Sequence, residues 1–116
     1  MYVCSYSAAS NEVNVFFVRA KETTGVFFID EPDQKLLFGR KRIDKNRLHK
    51  PWMHREGKRQ WSVYFFGSTK EEAIRHLLDD DKVTLWRLKG TPYYQMNIGA
   101  IKARAKSAKE LLLNAA

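Results

Sequence analysis

Three runs of β-branched and aromatic residues crowd the first thirty positions: YVCSYS (Tyr2–Ser7), VNVFFVRA (Val13–Ala20) and GVFFID (Gly25–Asp30). Each reads as a strand. Only the polar links AASNE and KETTG separate them. Parallel pairing needs a crossover of about a dozen residues or more, so links this short favour an antiparallel meander. Within the second run, Val13, Val15 and Phe17 alternate with Asn14, Phe16 and Val18. Both sets are largely apolar, which predicts a central strand covered on both faces. Glu31–Gln34 is a turn with Pro32 at its second position. KLLFG (Lys35–Gly39) then reads as a fourth strand, and QWSVYFFG (Gln60–Gly67) as a fifth.

A helix follows. Ser68 stands as its N-cap with Glu71 three residues on, the reciprocal capping arrangement. Ala73, Ile74, Leu77 and Leu78 form an apolar stripe at helical spacing. The expected end is near Leu78, because Asp79, Asp80 and Asp81 would face the negative end of the helix dipole. Lys82–Lys89 alternates Val83, Leu85 and Arg87 with Thr84, Trp86 and Leu88, and reads as a strand. Gly90-Thr91-Pro92 is a turn and Tyr93–Met96 a short returning strand. In the C-terminal segment Ile98, Ile101, Ala105, Ala108 and Leu112 recur at helical steps, a seam made to meet another apolar surface. Lys102, Lys106 and Lys109 line a second stripe. The expected class is α+β: a mostly antiparallel sheet of five to seven strands with helices over 68–79 and 98–113. At 116 residues, 44% of them hydrophobic, the chain suits a single domain over 1–116.

Charge is concentrated in one place. Positions 40–60, RKRIDKNRLHKPWMHREGKRQ, carry nine Lys or Arg against two acids, so a surplus of seven accounts for nearly all of the +8 net charge. The first 34 residues hold only Arg19 and Lys21 as bases, against five acids. A scattered surplus would serve solubility; a concentrated one gathers polyanions. Loops longer than about 12–15 residues inside compact domains are usually functional or disordered. The stretch is expected to be a long basic loop or the tip of a β-ribbon arm. Its expected partner is nucleic acid, DNA or RNA, held through phosphates by Arg40, Lys41, Arg42, Lys45, Arg47, Lys50, Arg55, Lys58 and Arg59. Trp52, beside Pro51, is the candidate for stacking on an unpaired base. The alternative partner is an acidic protein onto which the same patch docks. A membrane surface is not expected, since the stretch lacks an amphipathic helix of useful length. The apolar seam and the two-faced strands leave room for a homodimer.

Reaction chemistry finds less support. GVF (Gly25–Phe27), LFG (Leu37–Gly39) and Arg47 resemble the GIY-YIG nuclease motif over about 25 residues. That resemblance implies a metal-dependent nuclease, with two strands carrying the triplets and the Arg on a helix. Phe27 and Leu37 stand where the family has tyrosines, so the phenols that help activate water are missing, and no Glu falls at the metal-binding position. Asp79–Asp81 offers carboxylates to Mg²⁺, although an Asp run after a helix is ordinarily a solvated turn. His49, His54, His76 and the single Cys4 lack zinc-site spacing. His76 is expected on the exposed helix face. No catalytic residue, metal ligand or cofactor is assigned. One Cys, no basic-then-apolar leader and no long apolar run together lead us to expect a cytoplasmic protein, and the basic stretch suggests an accessory or regulatory role.

Overall fold

The computed structural model describes residues 1–7, 10–55 and 61–115. As expected, the fold is α+β with antiparallel sheets. β1 (Tyr2–Ser7), β2 (Val13–Phe17), β6 (Trp52–Arg55) and β7 (Trp61–Gly67) form the main sheet in the order β2-β1-β7-β6. β3 (Ala20–Glu22), β4 (Val26–Ile29) and β5 (Arg42–Asp44) form a smaller sheet in that order.

Strand alternation sorts the two faces of the main sheet. Cys4, Val13, Val63 and Phe65 turn one way, towards Ala73, Ile74 and Leu77 of α1 (Lys70–Leu88) and Ala108 of α2 (Tyr93–Ala115). Val3, Tyr64 and Phe66 turn the other way and pack on Phe27, Ile29 and Ile43 of the small sheet, with Leu37 and Leu48 alongside. The result is three layers: helices, main sheet, small sheet. Buried on both faces, β7 is a continuous apolar run, as a doubly covered strand requires. β1 and β7 are the central strands. β2, expected at the centre, is an edge strand: Phe16 packs on one core and Val13 on the other, while Phe17 remains 54% exposed.

Gly67 ends β7 hard against the start of α1. A Cβ there would lie 2.5 Å from the backbone nitrogen of Ala73. Only glycine lets strand and helix approach this closely. The N-cap is Thr69, one residue beyond the expected Ser68. Its Oγ1 accepts from the Glu72 N–H at 3.1 Å, and Glu72 reaches back to the Ser68 N–H at 3.3 Å. Glu71 bonds Arg75 one turn on instead. His76 is half-buried rather than exposed. Its Nδ1 lies 2.7 Å from the Phe66 carbonyl, which only accepts, so Nδ1 carries the proton.

Helices replace three expected strands or turns. α1 runs on through Asp79–Asp81 and through the whole of 82–88, and the residues read as a returning strand are the first turn of α2. The cause is a buried ion pair. Asp81, 3% exposed, accepts from Arg104 Nη2 at 2.6 Å and Nε at 3.3 Å. Arg104 also donates to Asn11 and lies over the Tyr6 ring at 4.0 Å, joining both helices to the main sheet. With its charge matched inside the fold, Asp81 sits in mid-helix rather than at the negative end of the dipole. The helix stops at Gly90, whose φ of 82° is left-handed. Lys35–Gly39 is likewise no strand, because Glu31–Leu37 winds into a 3₁₀ helix with Pro32 in its first turn. Among the described residues no helix is long and apolar enough to cross a membrane.

Candidate functional site

Over its described residues, 40–55, the basic stretch does not project as an arm. Residues 40–55 are laid against the fold in short pieces: β5, a 3₁₀ turn over Lys45–Arg47, and β6. The Leu48 side chain is buried, and its carbonyl accepts from the Phe66 N–H at 3.2 Å. Trp52 then pairs with Tyr64 and Arg55 with Trp61. From Leu48 to Arg55 the chain therefore borders the outer edge of β7. β5 pairs with β4, so the strands flanking the stretch do not pair with each other as a ribbon would require.

Pairing register decides where the side chains go. Trp52 and His54 share the small-sheet face of β6 with Tyr64, whereas Met53 and Arg55 take the helix face with Val63 and Trp61. Trp52 is half-buried rather than free: its ring lies 5.1 Å from Tyr64 and 6.3 Å from Phe66. The Arg40 guanidinium covers it, 4.8 Å from the ring centre, and is held by a 3.2 Å bond from Nε to the Arg42 carbonyl. The Arg40 pKa is lowered, first by burial and then by the nearby charge of Arg47. A guanidinium stays protonated regardless. Arg40 thus lies against an aromatic wall, feeling the charge of Arg47 and, in the opposite sense, that of Asp44.

Neighbouring charges are compensated unevenly. Arg42 pairs with Asp44 at 3.2 Å and Lys45 with Glu22 at 2.7 Å. Among the described residues no acid forms a salt bridge with Arg40, Lys41, Arg47 or Lys50, and the last three are exposed. Arg55 lies on the other face, 5.7 Å from the Trp61 ring. Lys58 and Arg59 lie outside the described residues. The described residues picked out in the sequence are therefore of four kinds: Arg40 and Trp52, which come together; Lys41, Arg47 and Lys50, which are exposed; Arg42 and Lys45, whose charge is matched; and Arg55, which is turned away.

The sequence reading missed the aromatic neighbours of Trp52. His54 stacks face to face on Phe38, with ring centroids 3.7 Å apart and planes 11° apart. Phe38 and Tyr64 also meet in a T-shaped contact, centroids 6.0 Å apart. The one available clue was Leu36-Leu37-Phe38, three apolar residues in a row where a single inward face accommodates one; only Leu37 is buried.

The nuclease resemblance loses its second strand, because Leu37-Phe38-Gly39 closes the 3₁₀ helix and Arg47 sits in a short 3₁₀ turn. Asp81 is occupied by Arg104, and among the described residues no three His, Cys, Asp or Glu gather as metal ligands. No family model, curated protein or solved structure matches this chain.

Proposed function

We propose that the chain binds nucleic acid, chiefly through backbone phosphates, using the exposed Lys41, Arg47 and Lys50 together with Arg40, which lies over Trp52. The observation that carries this reading is Arg40: its guanidinium lies 4.8 Å from the Trp52 ring centre, and among the described residues no carboxylate forms a salt bridge with it. A guanidinium without a bound carboxylate has its donors open to an anion. A phosphodiester supplies that anion, and Arg presents a planar fork that fits it. Neutralising phosphates releases their counterions, which gives affinity without sequence reading. This is binding chemistry, and the role it suits is that of an accessory or regulatory factor. The lone, buried Cys4 fits the reducing cytoplasm proposed as its setting.

Fluorescence anisotropy of labelled DNA and RNA across a salt series tests the proposal. Binding at micromolar or lower concentration should weaken steeply with salt. Replacing Arg40 and Arg47 together by Ala should flatten the log–log slope by roughly 1.4–1.8, the loss of two phosphate contacts. No binding to either polymer at physiological salt would overturn it, and an acidic protein would then be the partner to seek.

A further inference from the structure

Phe38 occupies a conformation that its side chain disfavours. Its φ and ψ are 54° and 39°, the left-handed region, and Gly39 follows at φ 84°. A helix closing this way ordinarily uses Gly or Asn, because a Cβ crowds the next carbonyl there. A bulky aromatic at such a position is an outlier, and outliers of this kind gather at binding sites. Core packing does not explain it. Phe38 is 46% exposed and is absent from the cluster that Trp52 and Phe16 join. One face of the ring rests on His54 and the Tyr64 ring stands at 72° to it, 6.0 Å away; among the described residues no ring stacks on the opposite face.

We propose that this open face of Phe38 is a stacking platform for an unpaired base of a single-stranded nucleic acid, with the adjoining phosphate held by Arg40 and Arg47. The inference rests on the nucleic-acid reading above and narrows it. His54 backs the platform. Behind it Trp52, capped by Arg40, lies 6.3 Å from His54, so ring and guanidinium belong to one continuous surface. Successive phosphates and bases along a single strand present this alternation of anion and π-face. A duplex does not, because its base faces are covered by their neighbours everywhere but at the ends. Stacking on a ring is tolerant of sequence, since every base has a π-face, so the site selects strandedness rather than sequence.

Comparing a short labelled oligothymidylate with an abasic oligomer of the same length isolates the base from the backbone. The wild-type protein should bind the base-bearing strand about five- to a hundred-fold more tightly than the abasic one, the range of a single base–aromatic stack. In Phe38→Ala that gap should close to within about twofold, and in Phe38→Tyr it should persist. Phe38→Gly removes the ring and relieves the left-handed residue, so it provides the same reading should the Ala variant fold poorly. If both polymers bind but the gap is unchanged in Phe38→Ala and Phe38→Gly, the platform is wrong and the phosphate reading stands. If neither polymer binds the wild-type protein, the phosphate reading fails and takes the platform with it.

Discussion

Cys4 lies on β1 with its thiol turned into the layer between the main sheet and the helices, fully buried. Burial, and behind it the charge of Asp81, pushes the thiol pKa up from 9.0 to about 12. Between those values the unfolded chain gives up a proton that the folded chain keeps, so stability falls as pH rises. The slope from this one group is at most about 1.4 kcal/mol per pH unit. Urea midpoints measured from pH 8 to pH 10.5 should decline more steeply for wild-type protein than for Cys4→Ala; equal declines would refute the buried-thiol account. Cys4 was legible in the sequence as a lone, unpaired thiol, and its strand was legible too. Its depth was not, because burial depends on helices that arrive seventy residues later. The same limit hid Phe38, which closes the 3₁₀ helix and whose neighbours His54 and Tyr64 come from β6 and β7.

At the scale of elements, strands whose apolar pattern is local were readable: β1, β2, β4 and β7 fall where their β-branched and aromatic runs lie. α1 was only half readable. Ile74, Leu77, Leu78, Leu85 and Leu88 continue one helical stripe, but Asp81 occupies an inward position and breaks it on paper. Without that inward residue, 82–88 falls back on an alternation that looks like a strand. Arg104, 23 residues distant, supplies the missing half of the pattern. Helix continuity through this point therefore depends on the pair. Replacing Asp81 by Ala strands a buried guanidinium and should cost about 3–5 kcal/mol in equilibrium unfolding. Replacing both Asp81 and Arg104 by Leu should cost clearly less, since no unmatched charge remains. A double variant as unstable as the single one would mean that the pair contributes by shape and not by charge.

For the whole molecule, layering separates its two basic surfaces. Arg40 and Arg47 belong to the segments beside the small sheet, while Lys102, Lys106 and Lys109 are exposed on α2 in the helix layer. With layers stacked about 10 Å apart, the two sets lie roughly 20 Å apart. That is more than twice the screening length of ~8 Å at physiological ionic strength. Net charge could be read from the sequence, but not this division, which only the stacking order reveals. The surfaces also differ in kind. The α2 lysines share their groove with Asp79, Asp81 and Glu110, and among the described residues no aromatic ring lines it. The Arg40–Arg47 patch has rings and no bound acid. One strand of nucleic acid held at the patch should therefore gain little from the lysines. Replacing Lys102, Lys106 and Lys109 by Ala removes three charges, one more than the Arg40→Ala/Arg47→Ala double variant, yet should flatten the salt slope by less than about 0.5. A slope reduced in proportion to charge removed, whichever face loses it, would mean that binding follows total charge and that the arrangement around Trp52 confers no site.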